Sequence, residues 1–246
     1  MKKSWLYYLF AVLLCLAFFS LGQWQLSRAQ WKQQRLDNVA AILKERKSEA
    51  LSQLSKENKT DLAWSVGRGH FLTTPALLHD NQRFGDKVGV NVYRVFQPDA
   101  GKAILVNLGW LVVPGDRSMP ALETISGSYQ LAGLLVAPPS PGIAIGPAYQ
   151  KTNEQYWLLT RMPLDQLAVD LKIPLATRVL RLNPDLSMGY ARDLDILPNT
   201  LPPEKHKGYA VQWFGLCLAT IVITLVLGFR QRKRLHQKMT KENKND

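Results

Sequence analysis

Two long, strongly apolar stretches of this chain carry no charge at all. Residues 4–22 (SWLYYLFAVLLCLAFFSLG) and 209–229 (YAVQWFGLCLATIVITLVLGF) contain no Asp, Glu, Lys, Arg or His. Coiled as helices, these 19 and 21 residues reach about 28 and 31 Å. That matches a hydrocarbon core of about 30 Å. A helix also pairs its own backbone groups, as lipid demands, so both stretches read as membrane spans rather than core helices. Residues 1–22 have a second outline, that of a cleaved signal peptide with Lys2 and Lys3 before the apolar run and Ser20-Leu21-Gly22 as a loose small-residue site. There is no Ala-x-Ala and the run is long for a signal, so a retained anchor is the expectation.

Cysteine is nearly absent. The two that occur, Cys15 and Cys217, both lie inside the apolar runs. The part between the runs therefore holds neither an internal disulfide nor a thiol pair for copper or redox exchange. Counted from the ends of the runs that adjoin the central part, the two thiols lie at similar depth. They either face each other or serve as small apolar packing residues.

Recognisable catalytic and metal motifs are missing too. No HExxH, paired-cysteine ligand set, GxSxG, P-loop or GxGxxG occurs. His79-Asp80 reads as a hydrogen-bonded pair at a strand end and turn, His70 as part of an alternating strand, and His236 as a residue of a basic tail. No enzyme activity is expected.

Positive charge is what the chain does have. The formal net charge is +12, but Lys2, Lys3 and the segment after residue 229, with seven basic and two acidic residues, account for +7 of it. The high charge thus describes membrane-flanking tails, and no nucleic-acid partner is expected. The basic C-terminal tail marks a cytoplasmic side by the positive-inside rule. Two spans then put both termini in the cytoplasm and the central part outside. Arg28, Lys32 and Arg35 fall on the side that the rule disfavours.

Along the chain, residues 23–59 contain no Gly or Pro and carry a rough helical stripe of Leu36, Val39, Ala40, Ile42 and Leu43. A helical stalk ending near Asn58 is expected. Short β-rich runs follow at 66–72, 90–98, 102–113, 126–138, 155–162 and 177–185, separated by turn signals at Asp80-Asn81, Gly85-Asp86, Pro98–Gly101 and Pro114–Asp116. Residues 163–171 read as one short helix behind Pro163. The expectation is an α+β membrane protein: span 4–22, stalk 23–59, a mainly antiparallel β domain within 60–208, span 209–229 and a tail 230–246. A small barrel or sandwich would close the sheet edges.

Two membrane-border stretches could carry chemistry. In a helix begun by about residue 206, Tyr209, Ala210 and Trp213 share a face with His206. That suits a planar, largely apolar ligand with a metal at its centre, and histidine is an axial ligand to haem iron. It equally suits an interfacial aromatic belt with no cofactor. Across from it, GQWQLSRAQWK (22–32) puts Trp24, Arg28 and Trp31 on one stripe, with Gln25 and Lys32 on its shoulder. Arg28 and Lys32 could pair with haem propionates or with lipid headgroups.

These stretches resemble the surfeit locus protein 1 family. GQWQLSRAQWK (22–32) is similar to its G-x-W-Q-x-x-R-x-x-W-K signature after the first span, and HKGYAVQWF (206–214) to its signature at the start of the second. VNLGWLVV (106–113) is similar to its V-N-R-G-W-V segment, with Leu108 where the family usually has arginine, and HDNQRFGDKVGVNVYRVFQP (79–98) to the preceding strand pair. The resemblance implies a two-span protein with an exported central domain that assists cytochrome c oxidase assembly. It implies a role in haem a insertion into oxidase subunit I, or in stabilising that subunit, alongside other assembly factors. It also implies haem ligation by His206; from span-end placement together with that likeness, Tyr209, Trp213 and Trp24 are expected as aromatic neighbours and Arg28 and Lys32 near the propionates. A haem-free scaffold for oxidase subunits is the alternative. The few residues before the first span leave no room for a mitochondrial import sequence, so a bacterial inner membrane is expected.

Overall fold

A computed structural model describes residues 4–52, 62–116, 118–140, 145–196 and 201–242. Its elements are α1 (Ser4–Glu45), β1 (Ser48–Ala50), β2 (Ala63–Phe71), β3 (Ala76–Phe84), β4 (Lys87–Pro98), β5 (Ala103–Val112), β6 (Ser128–Val136), β7 (Tyr149–Gln150), β8 (Tyr156–Leu159), α2 (Leu164–Leu171), β9 (Leu175–Leu182) and α3 (Pro203–Glu242). They form two units, residues 1–36 with 200–246, and residues 37–199.

The central unit is built on a closed ring of strands. β2 pairs with β6, β6 with β9, β9 with β5, β5 with β4, and β4 returns to β2. Closure leaves these strands without the bare hydrogen-bonding edge that invites aggregation. It depends on β4, whose 12 residues are long enough to serve two neighbours along one edge. Its first half pairs with β3, and its last residues, Phe96 to Pro98, pair with Phe71 to Gly69 of β2. At the closing point Gly69 also faces Tyr129 of β6. A Cβ there would sit 2.1 Å from the Gln97 carbonyl oxygen, so only glycine fits. β3, β8 and β7 extend from β4 as a wing. Pairings are mainly antiparallel; β1–β2, β3–β8 and β5–β9 are parallel.

The ring encloses Phe96, Ile104, Val106, Leu108, Leu131, Leu135, Leu180 and Leu182 in one cluster. A second cluster uses the alternate residues Tyr93, Val95, Leu105 and Val179 and is covered by Leu167 of α2. β5 is thus buried on both faces, which explains why its sequence is a nearly unbroken apolar run. α2 stops at Lys172, whose left-handed backbone (φ 57°) turns its N–H back onto the Val169 carbonyl.

Two sequence expectations fail here. The helix that leaves the first span ends at Glu45, short of the expected stalk end near Asn58, and is followed by β1; residues 53–61 lie outside the described residues. Arg46 ends it by adopting a left-handed conformation (φ 44°), and its guanidinium bonds Asp185 at 3.1 Å and lies over Trp64. Asp80-Asn81 is not a turn between strands. It is a bulge inside β3, where pairing with β4 shifts between His79 and Gln82. Asn81 takes the left-handed backbone (φ 55°) that the bulge needs, which asparagine tolerates. The same feature that resembles a turn in sequence serves here to bend a strand.

Candidate functional site

α1 and α3 meet along a seam of small and polar residues. On α1 the seam is Cys15, Phe18, Gly22, Gln25, Ala29 and Lys32; on α3 it is His206, Ala210, Trp213, Phe214 and Cys217. The alternating spacings of three and four keep one side of each helix toward the other, and small residues allow the backbones close together in lipid. Cys15 Sγ lies 3.8 Å from the Cys217 carbonyl oxygen, and Cys217 Sγ lies 3.6 Å from that of Cys15. The two thiols are reduced and face each other across the seam. Phe18 packs on Trp213 with centroids 5.8 Å apart, and the Phe214 ring fills the space above Gly22.

Polar groups take over where the seam reaches the start of α3. Pro203 opens α3, where its missing N–H costs nothing. His206 sits in the first turn of α3, only 7% exposed. Its Nδ1 is 2.7 Å from Gln25 Oε1 of α1. An amide oxygen only accepts, so Nδ1 carries the proton and Nε2 holds the lone pair. That Nε2 is buried and finds no hydrogen-bond partner among the described residues. Lys32, 5% exposed, donates its ammonium to the Leu201 carbonyl just before α3. The His206 ring lies within the field of both the Lys32 and Arg28 charges. The site is cationic and presents the His206 Nε2 lone pair, unpartnered among the described residues.

The residues singled out in sequence divide accordingly. His206 and Lys32 come together, and Trp213 is half-buried two turns further along α3. Tyr209 (44% exposed) and Trp24 (56% exposed) turn outward. The Trp24–Arg28–Trp31 stripe is exposed, though the Arg28 charge still reaches His206. Its shoulder, Gln25 and Lys32, makes the contact instead. Arg28 and Arg35 place their guanidiniums 4.7 and 5.4 Å from the Trp31 ring centroid, an exposed cation–π stack. Gln25 was legible only as a shoulder residue. The repeat of small residues Cys15, Gly22 and Ala29 is the signal that fixes which face is inward.

The central unit has its own polar cluster. A cleft of about 50 Å³ is lined by Asn91, Asn107, Trp110, Arg181, Arg192 and neighbours. Asn107 donates to Tyr93 Oη at 3.2 Å and accepts from the Gly109 N–H at 2.9 Å. Gly109 has φ 119° and lies against the Tyr190 carbonyl. Leu108 is fully buried in the ring core. A β4–β5 bulge between Val92 and Tyr93 admits it as the extra residue. Burial pushes the Tyr93 phenol up to about 12, against the opposing Arg181 charge and the Asn107 bond. His79 is buried beside it, its pKa lowered by burial despite a hydrogen bond with the Thr160 backbone and the charge of Asp80. No group of three or more metal-ligating side chains occurs among the described residues.

The model of the SURF1 family matches residues 12–218, from within the first apolar helix to within the second. The chain belongs to the SURF1 family. Comparison with curated proteins gives no match. Family membership carries a role in cytochrome c oxidase assembly. With two helices long and apolar enough to span a bilayer, this SURF1-family chain is a two-pass membrane protein with a central β domain.

Proposed function

We propose that the protein is a non-enzymatic assembly factor that assists haem a insertion into oxidase subunit I, by binding haem at the outer ends of α1 and α3. The observation that carries this reading is the buried His206 Nε2, without a partner among the described residues and presented as a lone pair. The residues fit the group by donor chemistry. His206 would hold the iron, while Lys32 and Arg28 would approach the propionates. Trp213 and Tyr209 would border the macrocycle, with Trp24 at its margin. Bound haem would supply the iron that takes an axial nitrogen. The ring is buried, so binding at Nε2 requires that nitrogen to be uncovered. The setting we propose is a bacterial inner membrane with both termini cytoplasmic and the central domain periplasmic, a reading supported by the basic residues Arg230, Arg232, Lys233 and Arg234 in the C-terminal part of α3.

The enclosure of Nε2 favours a second reading, a haem-free scaffold that holds oxidase subunits. Purification from cells that make haem a separates the two. A Soret band lost in His206→Ala, with the fold retained, supports haem binding. Equal haem content in both proteins removes His206 from the site. Normal oxidase assembly by a haem-free His206→Ala protein supports the scaffold.

A further inference from the structure

Among the polar side chains of the α1–α3 seam, Gln25 has the most specific geometry. It projects a single acceptor, Oε1, to within 2.7 Å of His206 Nδ1. The neighbouring cations have donors and no acceptor, so neither Lys32 nor Arg28 can replace Gln25 Oε1 as the acceptor of the Nδ1 proton. Neutral imidazole has two tautomers, and an acceptor at one nitrogen leaves the lone pair on the other. The ring's first shell here thus contains one acceptor, at Nδ1, and no described partner at Nε2.

We infer that Gln25 is a positioning residue: it fixes the His206 tautomer and ring orientation so that Nε2 is the nitrogen offered to a metal. The inference rests on the haem reading for its purpose, but its geometry belongs to the haem-free protein. An outer partner on the remote nitrogen of a ligating histidine holds the ring and tunes its basicity. A neutral amide does the first and only weakly the second. Glutamate at this position would accept the same bond with a full negative charge and make His206 a stronger donor. Leucine would have a similar volume and no acceptor.

The test uses the full chain in detergent, with nitrogen-15-labelled histidine and His206 assigned by its loss in His206→Ala. In the haem-free wild type at mildly alkaline pH, the His206 signals should report a proton on Nδ1 and none on Nε2. Gln25→Leu should move the proton to Nε2 or mix the two forms, and Gln25→Glu should restore the wild-type pattern. A wild-type ring protonated on Nε2, or a Gln25→Leu ring unchanged from wild type, overturns the inference. In haem-loaded protein, Gln25→Leu should weaken haem retention by about ten- to a hundredfold. Gln25→Glu should retain haem and lower its reduction potential. If His206→Ala keeps its haem, the haem reading fails while the tautomer result still decides the role of Gln25. If His206→Ala loses haem but both Gln25 variants match wild type in spectrum and retention, the inference alone fails.

Discussion

Gly22 of α1 lies so close to Phe214 of α3 that an added Cβ would come within 2.5 Å of the ring. Gly215, the next residue on α3, has nothing within 4 Å of the same position. Gly22→Ala should therefore cost about 1–3 kcal/mol through overpacking. Gly215→Ala should be neutral or stabilise by a few tenths to about 1 kcal/mol, because glycine is a poor helix residue. Thermal unfolding of the two variants in the same detergent checks this; equal midpoints would mean the seam does not form as described.

Lys32 and Trp24 test which face of α1 serves the site. Lys32 is buried and bonded to the Leu201 carbonyl, whereas Trp24 is turned outward. Lys32→Met should lower haem content or host oxidase activity at least severalfold, and Trp24→Ala should lower them by less, because Trp24 lies exposed at the margin of the proposed site. The reverse order would put the functional stripe on the other side of the helix.

Asn107 and Gly109 hold the central domain together through local bonds. Asn107→Leu removes the partners of the buried Tyr93 hydroxyl and Gly109 N–H, at an expected cost of about 1–3 kcal/mol. Gly109→Ala forces a side chain onto a left-handed backbone against the Tyr190 carbonyl and should cost about as much, 1–3 kcal/mol. Denaturant midpoints of the full chain, followed by tryptophan fluorescence, measure both.

His79 should make stability depend on pH. Burial lowers its folded pKa from the ordinary 6.5, so the neutral ring belongs to the folded state. Below about 6.5 the unfolded chain binds the extra proton first, and stability rises with pH wherever that holds. The contribution is complete above about 6.5 and is lost as pH falls from there toward the lowered folded value. Asp80 and Tyr93 are its polar neighbours. His79→Gln should shrink the loss of stability between pH 7.5 and 5.5, read as a smaller shift in unfolding midpoint. An unchanged pH slope would place the titration elsewhere.

Much of this fold was legible in the sequence because its signals are local. Long apolar runs without charge mark the two spans, and short β-rich runs between turn signals mark β4, β6 and β9. Pro163 marks the start of α2. Ring closure left no such mark, since it depends on β4 sharing one edge between β3 and β2. β3 was hidden by Asp80-Asn81, residues that suit a turn and a bulge equally well. The stalk ran long in the reading because nothing in the residue type of Arg46 announces a left-handed backbone. At the site, His206 and Lys32 were visible by type and position. The inward face of α1 is marked only by the small residues Cys15, Gly22 and Ala29, because Trp24–Arg28–Trp31 and Gln25–Ala29–Lys32 obey the same helical spacing.

α3 runs without a break from Pro203 to Glu242, a rod of roughly 60 Å at 1.5 Å per residue. A tilt of about 10° at one tip swings the other through roughly 10 Å over that length. Spin labels near the basic tail would then register whatever docks at the imidazole tip, giving a readout on the opposite membrane face from the event itself.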